Sequence, residues 1–255
     1  MIEQKDILAD LHTHTIFSQH AYSTIKENID VAKKNGIKYL ANTDHYYHSG
    51  DETMCKNESC RIAYLENYIR PNEKDIIVIS GAEFNLGQET TYWDSIKHIK
   101  WRPIGLHSWY FDIKNATLDT LYKAFELATK DNKHNAFAHI EREIHQINQS
   151  KYGIELTDEV KEFYLAMVKL AKEKDIYLEV NESSLLSNDK GNITRASFWL
   201  QLAKEYNCNL YLGTDSHYCK SVGKFQNSLD LLNKVGYSKN LILNCNQERL
   251  DNLFL

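Results

Sequence analysis

The sequence contains few residues that interrupt or cross-link a chain. Of its 255 residues, two are proline and five are cysteine. There is no low-complexity tract, long charge block or solenoid repeat, so a single domain over residues 1–255 is predicted. An odd number of scattered cysteines argues against a disulfide framework and favours reduced thiols. Cys55 and Cys60 could form half of a zinc site, but no second half is visible, and free thiols are the preferred interpretation.

Long apolar runs and an excess of basic residues are also absent. No segment approaches the ~20 apolar residues that span a bilayer. The N-terminus lacks the basic start and apolar run of a signal peptide, so we expect a soluble, cytoplasmic protein with no membrane partner. The net charge of −5 argues against a large nucleic-acid-binding surface, although local basic residues could still bind a small anion.

What the sequence does contain is an alternation of short β-prone runs and longer amphipathic segments. Seven runs are predicted as strands, at 7–11, 37–43, 75–82, 103–108, 135–140, 175–181 and 209–215. Helices are predicted at 23–36, 58–69, 117–131, 157–175, 193–207 and 228–236, the first with Ser23 as its N-cap. This alternation favours parallel strands joined by right-handed crossovers, in an open sheet or a closed barrel.

Every predicted strand ends in side chains that can bind a metal ion or donate a hydrogen bond. In chain order these are His12 and His14, Asp44 and His45, Glu83, His107, His139, Glu179 and Asn181, and Asp215 and His217. In a barrel of parallel strands these ends share one face, where active sites are built. Side chains two residues apart in a strand point the same way, so His12 can converge with His14. We interpret Asn181 as a hydrogen-bonding group of the site, and Glu179 as a structural residue on the opposite strand face.

A single histidine at a strand end is more often a hydrogen-bonded residue than a ligand. Seven of the eleven histidines, however, lie at strand ends or, for His20, just beyond the first. That concentration favours a metal site. Of the other four, His98 and His134 are predicted on the surface, and His48 and His145 in loops near the site.

The motifs in this order resemble the PHP family, named for the polymerase and histidinol phosphatase domain. They are "DLHTHT" (10–15), "TDH" (43–45), "GAE" (81–83), His107, His139 and "GTDSH" (213–217). Three further segments, "HAYST" (20–24), "LEVNESS" (178–184) and the tail 240–254, are similar to the stand-alone bacterial PHP phosphatases. One departure is His139-Ile140, where related sequences often have His-Pro, and it concerns the loop shape. The resemblance implies a distorted seven-stranded, TIM-like (β/α) barrel with up to three metals at the carboxyl ends of the strands.

The resemblance also implies how nine ligands divide among three divalent transition-metal ions. One ion would be held by His12, His14, Glu83 and Asp215. A second would be held by His107, His139 and a bridging Glu83, and a third by His20, His45 and His217. Ten ligand bonds fall short of the twelve or more that three ions need, which leaves positions for water and substrate. Imidazole-rich sites suit zinc, iron and manganese. Only Glu83 and Asp215 are anionic, so the loaded site should be positive and attract phosphate.

The expected activity is metal-assisted hydrolysis of a small phosphomonoester, with inorganic phosphate as product. Asp44 is a candidate for orienting a ligand or carrying a proton, or it caps its loop. One of Arg142, His145, Lys190 and Arg195 is expected to contact phosphate, although a solvated surface position is the more ordinary interpretation for any one of them. Histidinol phosphate is one possible substrate.

Three other functions compete with this hypothesis. A PHP-type phosphodiesterase or nuclease is disfavoured by the acidic composition and the lack of a nucleic-acid-binding appendage. An amidohydrolase would often use a bridging lysine carbamate, and no predicted strand ends in lysine. A non-catalytic metal-binding domain is disfavoured because decay removes ligands and all nine are present.

Overall fold

The computed structural model describes residues 1–46, 73–87, 99–107, 112–130, 133–147, 156–186 and 190–255. The predicted helix at 58–69 lies outside these ranges, as do Cys55, Cys60, His48 and His98. For His145 and Lys190 the described features are limited to the backbone: each belongs to a helix.

Eight short strands form two parallel sheets in these ranges. The first sheet is β1 (Ala9–Thr13), β2 (Tyr39–Asn42) and β3 (Ile77–Ser80), in that order. The second is β4 (Phe84–Asn85), β5 (Pro103–Gly105), β6 (Ala136–Phe137), β7 (Tyr177–Asn181) and β8 (Leu210–Gly213). Every pairing is parallel, as predicted. Each of the seven predicted runs overlaps one strand, and β4, which begins just beyond the third run, is additional.

Isolated bridges, not continuous ladders, connect the two sheets. Thr13 at the end of β1 pairs with Ser216 beyond β8, and His45 pairs with Glu83 before β4. The Asp215 amide donates to the carbonyl of His12 (2.8 Å), so the same seam aligns two predicted ligands. The carboxyl ends of the first and last strands are therefore neighbours.

Eight α-helices follow or flank the strands in the described ranges. They are α1 (Ile25–Lys34), α2 (Leu118–Ala128), α3 (Ile140–Gln146), α4 (Asp158–Glu173), α5 (Glu182–Leu186), α6 (Lys190–Glu205), α7 (Gln226–Val235) and α8 (Gln247–Phe254). Sequence periodicity missed α3, α5 and α8. The first two are short and begin directly after a strand or a strand-end ligand, where one or two turns give little helical pattern.

The N-cap of α1 was predicted one residue too early. Thr24 is the cap: its side chain accepts from the Glu27 amide, and the Glu27 carboxylate accepts from the Thr24 amide (2.7 Å) in a capping box. Ser23 instead accepts a bond from the Cys219 amide (2.8 Å), which ties the first loop to the segment after β8.

The apolar core has two parts. A large cluster packs the helices against the outside of the strands, with Phe125, Phe137 and Trp199 fully buried. A smaller cluster lies beneath the strand ends and includes Leu11, Trp101 and Tyr211, with the Trp101 indole donating to the Leu11 carbonyl (2.8 Å). Each buried aromatic or leucine side chain contributes about 1.5–3 kcal/mol. This second cluster provides apolar packing next to the polar residues at the carboxyl end of β1, since it includes Leu11, the neighbour of His12.

His134 is not a surface residue, contrary to the prediction. Its side chain is 8% exposed and its ring meets the Phe84 ring edge-on, with centroids 5.2 Å apart. Burial lowers the pKa of His134 to about 3, so it is a neutral core residue. A polar residue between a surface helix and a strand gives no sequence signal for this packing.

Across the described ranges, every helix is too short or too polar to cross a membrane.

Candidate metal centre

The nine predicted ligands lie together at the carboxyl ends of the strands. All but three of them are buried, the exceptions being His20, His107 and His217 at the open side. Within the described ranges, three groups of side chains have ligand atoms close enough to share an ion: His12, His14 and Asp215; His45, Glu83 and His107; and His14, His45 and His217. Each group draws on several strands, so only the folded chain assembles it.

The tightest group is built around the two histidines of β1. Their Nε2 atoms are 3.0 Å apart, and His14 Nε2 lies 3.1 Å from Asp215 Oδ1. Glu83 Oε2 lies 3.4 Å from His12 Nε2 and 3.5 Å from His14 Nε2. Four ligands bonded to zinc at about 2.0–2.1 Å are themselves about 3.3 Å apart at the tetrahedral angle. These spacings match the predicted four-residue set.

Glu83 occupies the centre of the cluster. Its Oε2 atom is buried and accepts no hydrogen bond from any described residue, although three imidazole nitrogens surround it. Its other oxygen, Oε1, lies 2.8 Å from His139 Nε2 and 3.6 Å from His107 Nε2. A buried carboxylate facing several imidazoles with both oxygens is suited to bridge two cations. The donor set therefore fits metal binding.

His45 lies between the second and third predicted groups. Its Nδ1 atom is 2.9 Å from Glu83 Oε2, and its Nε2 atom is 3.3 Å from His20 Nε2. The rings of His20 and His217 stack with centroids 4.6 Å apart, and the His14 ring lies 4.4 Å from the His217 ring. The group close enough to share an ion therefore contains His14 where the prediction has His20, and His20 lies beside His45 and His217. The division of ligands among ions stays a prediction.

Two of the ligands have left-handed backbone conformations, with φ of 30° at His139 and 50° at Asp215. Non-glycine residues in such regions cost about 1–3 kcal/mol and are found where the surroundings fix them. The His139 amide donates to Glu179 (2.8 Å), and the Asp215 amide donates to the His12 carbonyl. In these conformations the His139 side chain faces Glu83, and the Asp215 side chain faces His14.

Glu179 is a central part of the site, and its predicted position on the opposite strand face is wrong. Residues two apart in a strand share a face, so Glu179 points the same way as Asn181. Its carboxylate is fully buried, with Oε1 2.8 Å from His12 Nδ1 and Oε2 accepting from the His139 amide. A carboxylate behind Nδ1 keeps the proton there and leaves Nε2 able to bind a cation.

His14 is oriented by a second route. Its Nδ1 atom lies 2.8 Å from Ser18 Oγ, and Ser18 donates to Asp44 Oδ1 (2.6 Å). Asp44 also accepts from the Thr15 amide and hydroxyl and from Asn42. Asp44 therefore fixes the loop and, through Ser18, orients the ring of His14, which is a proposed ligand. Ser18 was missed because nothing in its sequence neighbourhood marks it.

The candidate phosphate-contacting cations have different positions. Arg142 is one-third exposed and its Nη1 lies 3.1 Å from Asp215 Oδ2, at the edge of the cluster. Arg195 is 1% exposed and donates to the Glu141 carbonyl and to Asn192, which gives it a packing role. Lys190 begins α6.

Asn181 has two hydrogen-bonding partners. It donates to Asp215 Oδ2 (3.3 Å), a proposed ligand, and it accepts from the Ser184 amide in α5.

The electrostatics of the site favour ionised carboxylates at Glu83 and Asp215 and neutral rings at His14 and His107. Burial alone would raise the pKa of Glu83, but His107, His12 and His45 hold it well below its ordinary value. Burial would also raise the pKa of Asp215, but the charges of His12 and Arg142 hold it well below its ordinary value. Burial lowers the pKa of His14 to about 3 and that of His107 well below 6.5. These protonation states are the ones that bind cations.

His12 differs from His14 and His107. Burial lowers its pKa, but the carboxylates of Glu179, Glu83 and Asp215 outweigh burial and raise it well above 6.5. Three carboxylates that favour a proton at this position also favour a metal cation there.

Taken together, parallel strands, alternating helices and side chains of ligand type gathered at the strand ends define an α/β protein whose candidate site lies at the carboxyl ends of its strands, where such folds build active sites. The profile of the PHP domain matches residues 10–183, and the chain belongs to this family.

The relatives of the chain agree with this assignment. A probable phosphatase of Clostridium novyi is 28% identical over 248 residues, covering 94% of this chain and 91% of that protein. One from Vibrio parahaemolyticus is 28% identical over 254 residues, covering 96% and 92%. Their names agree with the expectation of a hydrolase.

Solved structures share the fold. Histidinol phosphate phosphatase from Lactococcus lactis, complexed with zinc, L-histidinol and phosphate, has a TM-score of 0.59 at 19% identity, covering 90% of this chain and 94% of that one. A putative histidinol phosphatase from Listeria monocytogenes has a TM-score of 0.63 at 18% identity, covering 85% and 97%. At these identities the likeness concerns the fold.

Proposed function

We propose that the chain is a metal-dependent phosphatase that hydrolyses small phosphomonoesters at a centre of three divalent ions, zinc, manganese or iron. The observation that carries this proposal is the position of Glu83, which faces imidazoles on both of its oxygens in a buried cluster of nine ligand-type side chains. A distorted barrel formed by one domain over residues 1–255 is part of the same proposal. The bridges between the two sheets support the barrel, and the names of the relatives support the phosphatase activity.

The residues of the chain have separable tasks in this reaction. When bound, the ions act as Lewis acids and lower the pKa of a water molecule so that hydroxide is available near neutral pH. Glu179 keeps His12 in the tautomer that exposes Nε2, and Ser18 with Asp44 does the same for His14. The Arg142 guanidinium, beside Asp215 at the open side, is placed to hold a phosphoryl oxygen with its planar N–H donors.

The proposal specifies the class of substrate, the phosphomonoesters, but not the particular compound. The Lactococcus structure contains L-histidinol and phosphate, which makes histidinol phosphate one substrate to test. Nothing in the nine-ligand cluster selects a particular alcohol, since those side chains face the phosphoryl group in this proposal.

The experiment compares p-nitrophenyl phosphate with its bis-ester, using protein stripped by chelation and reloaded with zinc, manganese or iron. We expect monoester turnover that depends on metal and falls at least a hundredfold in His107→Ala. Faster turnover of the bis-ester would indicate a phosphodiesterase. Metal-loaded protein that hydrolyses neither compound would favour a non-catalytic metal-binding domain.

A further inference from the structure

A cavity opens directly beside the proposed metal centre. It has a volume of about 680 Å³ and begins at Asp215 and His217. From there it extends between α5 and the segment 218–224 toward the start of α7. Binding sites for small molecules have volumes of about 300–1,000 Å³, so this cavity can hold a group the size of a sugar or a nucleoside.

The segment that forms one wall of this cavity is fixed by hydrogen bonds from three directions. Ser216 donates to the Tyr218 carbonyl (2.6 Å), and the Cys219 amide donates to Ser23. The Gly223 amide donates to Asp10 Oδ2 (2.8 Å), and the backbone turns there with φ of 73°. A wall held in place before a ligand arrives requires little ordering on binding.

Two acidic side chains line the cavity: Asp215, which belongs to the proposed metal centre, and Glu182, whose hydrogen bonds are already made. Both oxygens of Glu182 accept bonds from the first turn of α7: Oε1 from the Asn227 amide and side chain, and Oε2 from the Ser228 amide and hydroxyl, all at 2.7–3.0 Å. Four donors at a helix N-terminus offset its charge. Glu182 therefore shapes this end of the cavity and does not compete for its cations.

Two lysines supply the uncompensated charge of the wall. Lys220 and Lys224 both line the cavity and are exposed, and neither forms an ion pair with another residue in the described ranges. The Lys220 ammonium lies over the Tyr218 ring, 5.5 Å from its centroid. Tyr218 and Leu186, which are 48% and 61% exposed, also line the cavity and add apolar surface to its wall.

We propose that this cavity binds the leaving group of the substrate, and that it selects phosphomonoesters whose alcohol carries a second anionic group. The scissile phosphate would sit at the metal centre, the carbon skeleton along Tyr218 and Leu186, and the second anion on Lys220 and Lys224. This inference rests on the proposed phosphatase function. It disfavours leaving groups with a cationic amine, such as that of histidinol phosphate, because the lysines repel them.

The first experiment measures kcat/KM for phosphate release from matched pairs of linear alkanediols with three to six carbons. One member of each pair carries a single phosphate and the other carries two. We expect the bisphosphate to be preferred about tenfold at the best chain length, after the twofold statistical factor, which corresponds to about 1.4 kcal/mol. Analogues with a terminal carboxylate show whether the second anion must be phosphate. The preference should shrink as salt is raised.

The second experiment tests the lysines themselves. Lys220→Gln combined with Lys224→Gln should reduce the ratio of bisphosphate to monophosphate kcat/KM toward one. The matched control, Lys34→Gln combined with Lys234→Gln, removes the same charge from exposed lysines outside the cavity and should keep the ratio.

The outcomes separate the two proposals. Turnover of p-nitrophenyl phosphate with no preference for a second anion would overturn the leaving-group inference and leave the phosphatase intact. An equal loss of preference in the control would also overturn it, because the effect would then be one of net charge. If no monoester is hydrolysed at any metal loading, the proposed function fails and this inference fails with it.

Discussion

At the scale of single residues, the two histidines of β1 have different partners behind them. His12 Nδ1 faces a fully buried carboxylate, whereas His14 Nδ1 faces a serine hydroxyl that is itself bonded to Asp44. Glu179 has a double task, because its second oxygen accepts the amide of another proposed ligand, His139. One side chain on β7 thereby fixes proposed ligands on β1 and after β6.

Glu179→Gln tests this arrangement. The amide group has one acceptor oxygen, so it can serve the His139 amide or His12 Nδ1–H but not both. The tautomer of His12 with its proton on Nε2 then becomes favourable, and that nitrogen no longer binds a cation. We expect metal affinity to fall about 10–100-fold, measured by competition with a chromophoric chelator.

The control for this prediction is Glu182→Gln. Glu182 follows the end of β7 and is also buried, but its described bonds go to α7 and not to a proposed ligand. It should lower the midpoint of thermal unfolding with little change in metal affinity. Equal losses of metal affinity in the two variants would refute the orienting role of Glu179.

His20→Ala tests how the ligands divide among ions. His20 lies on the exposed side of His45 and next to His217, away from the His12 and His14 nitrogens that face Asp215. We expect the variant to lose about one ion per chain and to keep the ion held by His12 and His14, as measured by elemental analysis of the purified protein. His134→Gln, a change at a buried histidine outside the cluster, should keep the full complement. Loss of all ions together in His20→Ala would show that the centre does not divide in this way.

At the scale of elements, the approach of β8 to β1 and β7 depends on a residue without a side chain. A Cβ atom built on Gly213 would overlap both Glu179 Oε1 and the Cβ atom of His12. The contact between Glu179 and His12 therefore exists only because the last strand presents a bare backbone at this point.

Gly213→Ala should separate Glu179 from His12. Overpacking of this kind costs about 1–3 kcal/mol of folding free energy, and the displaced carboxylate should also weaken metal binding. Thermal unfolding and chelator competition on the same samples measure both effects. In the control, Gly236→Ala, the substitution is at the left-handed end of α7 (φ 68°), so it should lower stability without lowering metal affinity. Unchanged metal affinity in Gly213→Ala would contradict the argument.

The positions of the strands could be predicted, whereas much of their surroundings could not. Apolar runs and the polar residues that end them are local features, so the seven runs and the clustering of the ligands were readable. Glu179 was misassigned although its spacing from Asn181 places both on one face. Ser18 and Gly213 matter only because other segments approach them. His134 was predicted on the surface because it lies in the loop between α2 and β6, where the sequence has no periodic pattern that would indicate burial.

At the scale of the whole molecule, the overall charge and the charge of the site are separate quantities. The chain has a net charge of −5, yet the predicted ions would bring six positive charges to a cluster in which Glu83 and Asp215 are the only anionic ligands. Glu179 adds a third carboxylate that the ligand count omits, and Arg142 adds a cation beside Asp215. The loaded site remains positive on this count, so an anionic substrate is drawn to one face of an acidic protein.

Global stability should depend on pH through His134, which lies outside the metal cluster. Its pKa is about 3 in the folded chain, because burial disfavours the charged form, against 6.5 in the unfolded chain. The unfolded state therefore takes up a proton first as the pH falls below 6.5, and folding stability decreases from there down to pH 3. At pH 5 the loss attributable to this residue is about 2 kcal/mol. In His134→Gln the stability difference between pH 7.5 and pH 5 should be smaller than in the parent chain by that amount, measured by urea unfolding at both values. The histidines of the proposed metal centre titrate in both proteins and cancel in the comparison, so identical pH dependences would show that burial does not lower the pKa of His134 in the folded chain.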